Sequence, residues 1–214
     1  MVMGCKRRPC KKKEPKKAIC VGKDVKWANY PSADENGFGH GKFCYFISCP
    51  NSELPIRDYV YEGKLEPHYE TKSYNECASC NQRGIKNANN RGISYIAFYT
   101  RYRGKKRSYR NKYFITGLFL ISAWRKVSNR IAYHSDNPIF LSIEDSIELN
   151  DDLWNKWFGK DLPKDWRGAH NLHFMTKFVK KDSPALKDIL DRFDKKKSRN
   201  KMDDYIKELK SAYN

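Results

Sequence analysis

The run Tyr113-Phe-Ile-Thr-Gly-Leu-Phe-Leu-Ile121 decides the fold class. Its β-branched and aromatic residues mark a strand. They follow one another without polar alternation, so this strand is buried on both faces of a sheet or lies in a tightly closed barrel. Gly117 in its middle points to a bulge or a bend. The run is too short for a membrane helix, which needs about 20 apolar residues.

Working outward, Ile93-Ser-Tyr-Ile-Ala-Phe-Tyr99 is a second strand and Arg103-Gly-Lys-Lys106 a turn between the two. Ile131-Ala-Tyr133 and Ile139-Phe-Leu-Ser-Ile143 give shorter strands. Upstream, residues 27 to 90 are irregular, with Phe43–Ser48 and Tyr59–Leu65 as candidate strands and Asn87–Gly92 as a loop. Strands at this spacing favour a small barrel over a parallel sheet with crossover helices. Downstream, Ser183 is an N-cap with Pro184 at the first helical position, and Leu186, Ile189, Leu190 and Phe193 repeat at helical spacing. Met202, Tyr205, Ile206 and Leu209 predict a last helix, and Asn150 caps a short one. The expected fold is α+β: a small mixed β-barrel with packed helices. Residues 27–214 form a single domain with a cysteine-containing N-terminal segment and a C-terminal helical pair, and residues 1–26 a flexible basic arm.

Charge bounds the partners. The chain has 43 Lys and Arg against 25 Asp and Glu, a formal net charge of +18. Adaptation to heat raises Lys and Glu together, and here the acids do not keep pace. Such an excess suits a polyanion, of which nucleic acid is the commonest in a cell. Residues 1–26 alone hold ten Lys or Arg against Glu14 and Asp24. No apolar run follows the basic N-terminus, so no signal peptide is expected and the seven cysteines are read as cytoplasmic thiols or metal ligands. No membrane partner is expected.

Three features carry chemistry. Residues 101–112 hold Arg101, Arg103, Lys105, Lys106, Arg107, Arg110 and Lys112 with no acid, interleaved with Tyr102 and Tyr109. Cations neutralise phosphates and rings stack on bases, so this hairpin reads as a nucleic-acid-binding finger. Cys77-Ala-Ser-Cys80 places two thiolates at zinc spacing. Cys44 and Cys49 are one candidate pair to complete a tetrahedral site, with His40, His68, Cys5, Cys10 and Cys20 as others, while Cys44 also suits a core thiol. The aromatic residues, four tryptophans from Trp124 to Trp166 among them, supply core and, by their rings, the walls of a base pocket.

Enzyme signatures are absent: the chain has no Walker A, GxGxxG, HExxH or Gly-x-Ser-x-Gly motif. Asp145, Glu148, Asp151 and Asp152 cluster, as a metal site or as acids at a helix N-terminus. No catalytic residue is singled out.

From about Ile93 to Phe193 the chain resembles the PUA-like superfamily, which includes the EVE, ASCH and YTH domains. An aromatic strand (Tyr95 to Tyr99) leads to a strand with a central Gly117, then to Asn137-Pro-Ile-Phe140, a Trp-rich segment with Trp166-Arg-Gly168, and Asn171-Leu-His-Phe-Met175 ahead of a helix. The resemblance implies a small barrel whose aromatic pocket takes one base, and a reader of a modified or flipped base in RNA or DNA. On that likeness Trp124, Trp154, Trp157 and Trp166 are candidates for base stacking, with Arg167 and His170 for phosphate or base-edge contacts. Two alternatives stay open: a nuclease or base-processing enzyme of a restriction–modification or phage-defence system, and a zinc-stabilised structural module of a nucleoprotein assembly.

Overall fold

A computed structural model of the chain describes residues 26–35, 37–50, 52–58, 67–75, 92–127, 130–159 and 178–213. The arm, the candidate strand 59–65, Cys77, Cys80, Trp166, Arg167 and His170 lie outside these residues, save for Lys26 at the arm's end.

The described residues are α+β, built from two sheets and three helices. The larger sheet has the order β10(Phe178–Val179), β2(His40–Tyr45), β4(Ile93–Arg101), β5(Tyr113–Leu120) and β8(Ile139–Phe140), and β9(Ile147–Leu149) also pairs with β5. β2 and β4 run parallel, and the other pairs are antiparallel. The smaller, wholly antiparallel sheet has the order β1(Ala28–Asn29), β6(Ala123–Val127), β7(Arg130–His134), β3(Ser73–Asn75). The helices are α1(Asp151–Phe158), α2(Pro184–Lys195) and α3(Met202–Tyr213). No helix among the described residues is long and apolar enough to cross a membrane.

β5 is buried through six successive residues, Phe114 to Phe119. Of its two expected explanations, two-sided burial is the one observed. On one face Phe43, Ala97, Tyr99, Ile115 and Leu118 pack with Trp154 and Trp157 of α1 and Leu186, Ile189 and Phe193 of α2. On the other, Cys44, Ile96, Phe98 and Phe119 pack with Tyr74 and Tyr133 of the smaller sheet and with Met202, Tyr205 and Leu209 of α3.

Among the described residues the strands do not close into a barrel. After Leu120 the chain leaves the larger sheet, and β6 and β7 form a second sheet packed across it. The outer strands of the larger sheet, β8 and β10, are two residues each. The expected strand Ile139–Ile143 stops at Phe140 because Ser142 begins a turn: its hydroxyl accepts from the Asp145 amide (3.3 Å) and its carbonyl from Ser146 N (3.0 Å).

Local signals for the helices hold. The Asn150 side chain accepts from Leu153 N at 2.9 Å, and Gly159 ends α1 at φ 64°. Ser183 Oγ accepts from Leu186 N at 3.3 Å, with Pro184 first in α2. Gly117 marks an irregularity, as expected: Phe98 pairs with Gly117 and Tyr99 with Ile115, so Thr116 is the extra residue of a bulge.

Candidate nucleic-acid interface

The hairpin between β4 and β5 is a folded cap rather than a projecting finger. Tyr102 N donates to Lys112 O (2.9 Å) and Asn111 N to Tyr102 O (2.8 Å), which closes its base. Residues 107–109 make one 3-10 turn. The Arg110 guanidinium donates twice to Gly104 O, at 3.1 and 3.3 Å, and Lys105 N donates to Ser52 O at 3.1 Å.

Tyr102 is 0 % exposed, packed with Phe114 and Ile143. Its hydroxyl donates to Glu53 O (3.1 Å) and accepts from Lys106 N (3.3 Å). It is therefore a core residue and presents no ring to a base, a correction to the expected finger. Tyr109 is half-buried, edge-on to Phe114 at 5.8 Å.

The charge of the hairpin is also smaller than its sequence suggests. Acids from other elements reach it: Glu53 lies 3.6 Å from Lys105, Glu144 binds Lys106, Glu148 lies 3.1 Å from Lys112, and Asp58 stands 3.9 Å from Arg103. Partial burial would raise the Glu144 carboxyl, and the Lys106 hydrogen bond overrides it and holds the group below the usual range. All three lysines are thus ion-paired. Arg101, Arg107 and Arg110 have no acidic partner among the described residues; Arg101 Nε donates to Asn111 O at 3.3 Å, and Arg107 is exposed. Guanidinium forks are the group best shaped for two oxygens of a phosphate.

The expected base pocket is not assembled by the described tryptophans. Trp154 (1 % exposed) and Trp157 (5 %) sit in the helix-facing core, Trp157 Nε1 donating to Asp188 Oδ2 at 2.9 Å. Both are core residues, because α1 turns its apolar side onto the sheet. Trp124 is partly buried against Tyr133 in the opposite core, a layer away.

Cys44 and Cys49 are buried in the second core cluster, and among the described residues no three His, Cys, Asp or Glu side chains gather to hold a metal. The acids around residues 145–152 are spread over separate tasks. Asp145 takes Arg199 at 2.7 Å, Glu148 takes Lys112, and Asp151 and Asp152 occupy the first turn of α1, where acids suit the helix dipole.

Sequence reasoning missed a cluster on the outer side of the smaller sheet. The Arg125 guanidinium lies over the Trp27 ring, 4.1 Å from its centroid, and the His134 ring is 5.1 Å from Trp27 at 37°. His134 Nε2 meets Asp136 Oδ1 at 3.3 Å. The only signal in the sequence was a tryptophan placed where the basic arm ends. Compared with protein-family models, with curated proteins and with solved structures, the chain matches none.

Proposed function

We propose that this protein binds nucleic acid, with hairpin arginines on the phosphate backbone and the basic N-terminal residues adding salt-dependent affinity. The observation that carries this is the sorting of charge in the hairpin: ion pairs take its lysines and leave Arg101, Arg107 and Arg110 without acids among the described residues. The net charge of +18 supports it, since each phosphate contact releases counterions. A PUA-like body that reads a modified or flipped base belongs to the same proposal and is supported by the order of an aromatic strand and a glycine-bearing strand. With Trp154 and Trp157 in the core, its pocket would have to use other rings.

The test is a salt-titrated binding assay with single- and double-stranded DNA and RNA, with product analysis in the presence and absence of magnesium. Tight binding that weakens steeply with salt is expected. Arg107→Ala with Arg110→Ala should lower the slope of log K against log salt by nearly two, at about 0.9 per duplex phosphate. Failure of the wild-type protein to bind any of the four at low salt overturns the proposal. Cleavage or base release would move the protein to the enzyme class.

A further inference from the structure

We infer that the outer side of the smaller sheet, at Trp27, Arg125 and His134, is a stacking site for an unpaired base of a single strand; this rests on the nucleic-acid reading above.

The register builds the site. Ala28 pairs with Trp124 and Asn29 with Ala123, so continuing β1 backward by one residue sets Trp27 beside Arg125. Side chains alternate along a strand. Trp124 and Tyr133 face the core, so Arg125 and His134 face the other way. Three flat groups come together: an indole, a guanidinium over its face at 4.1 Å from the centroid, and an imidazole 5.1 Å away, tilted by 37°. Base rings stack on all three types of group.

Two observations favour a ligand over a pin for β1. Trp27 keeps part of its surface in solvent, whereas Trp154 and Trp157 are core residues. The ten cations of residues 6–26 run into Trp27 in sequence, so the polyanion that they attract arrives where the rings are.

The occupant is a single strand because a stack of this kind needs an open base face. In a duplex the faces are already stacked on neighbouring pairs. Among the described residues the sheet contributes no long projection to enter a groove, and stacking tolerates any sequence.

The experiment compares an oligothymidylate strand with a duplex of equal length, binding to the wild-type protein, Trp27→Ala and Trp27→Phe at several salt concentrations. Trp27→Ala should weaken single-strand binding between about fivefold and about a hundredfold, the range for one stacked base, and leave duplex affinity and both salt slopes unchanged. Trp27→Phe should keep most of the single-strand affinity. Equal single-strand affinity in a folded Trp27→Ala overturns the stacking site and leaves the nucleic-acid reading intact. No wild-type binding at low salt to either probe or to their RNA counterparts overturns both. Should Trp27→Ala unfold, photo-crosslinking of a bromodeoxyuridine strand to the wild-type protein decides: adducts on Trp27 or His134 support the site, and adducts only elsewhere overturn it.

Discussion

A Cβ built on Gly117 would lie 2.2 Å from the Phe140 ring, inside any permitted contact. Phe140 is fully buried and cannot retreat, since it meets Phe98, Phe119, Tyr69 and Tyr205 within 6 Å, ring to ring. Gly117→Ala should therefore cost about 2–3 kcal/mol, the scale of an overpacked core. Thermal unfolding should fall by roughly 5–10 °C. Adding Phe140→Leu should return part of that loss, and a double-mutant cycle with no coupling would refute the contact.

How much of this was legible in the sequence depends on the range of each interaction. The caps at Asn150 and Ser183 act within three residues, and both were readable. The continuous apolar run of β5 announced two-sided burial, yet could not say whether a closed barrel or a second sheet would supply the cover. The hairpin was misjudged for the same reason. Glu53, Asp58, Glu144 and Glu148 stand between 36 and 52 residues from the cations that they neutralise, so a local tally of charge saw none of them. Trp154 and Trp157 carried no mark distinguishing a core ring from a pocket ring, because helical spacing serves either.

Glu208 ties α3 to the turn that supports the hairpin. One carboxylate oxygen accepts from Ser52 Oγ and from Glu53 N, both at 2.6 Å, and the other accepts from Leu54 N at 3.2 Å. The same turn receives Lys105 N and the Tyr102 hydroxyl through its carbonyls. Glu208→Ala should cost about 1–3 kcal/mol, as for hydrogen bonds to a charged acceptor. Hydrogen exchange at Lys105 N should also accelerate. Loss of stability with unchanged exchange there would show that the turn holds without Glu208.

His68 should make the fold acid-sensitive before its carboxylates titrate. Burial, helped by the Arg57 charge, pulls this histidine down to about 3. In the unfolded chain it takes a proton near 6.5. Between those values the unfolded state binds more protons, so stability falls as pH falls, by up to about 1.4 kcal/mol per unit. The loss is complete once pH drops below about 3. Denaturation at pH 7 and pH 5 should show this difference in the wild-type protein and not in His68→Gln; parallel curves for the two would show that His68 titrates normally in the fold.

The hairpin's acids offer a gain-of-affinity test. Lys106–Glu144 and Lys112–Glu148 are surface pairs, each group at least 37 % exposed on its side chain. Such pairs contribute about 0–1 kcal/mol to stability, so Glu144→Gln with Glu148→Gln should leave the fold intact. The substitutions free two ammonium groups beside the three arginines. If the hairpin faces the ligand, nucleic-acid affinity rises at low salt, and the slope of log K against log salt steepens by up to nearly two, at about 0.9 per added duplex phosphate contact. Distant acids make the control: Asp191→Asn and Asp194→Asn on α2 remove as much negative charge from exposed pairs with Lys195 and Lys197. They should raise affinity only through the general field and leave the slope nearly unchanged. Equal responses from the two double variants would mean that the chain attracts nucleic acid by net charge alone, with no contact made by the hairpin.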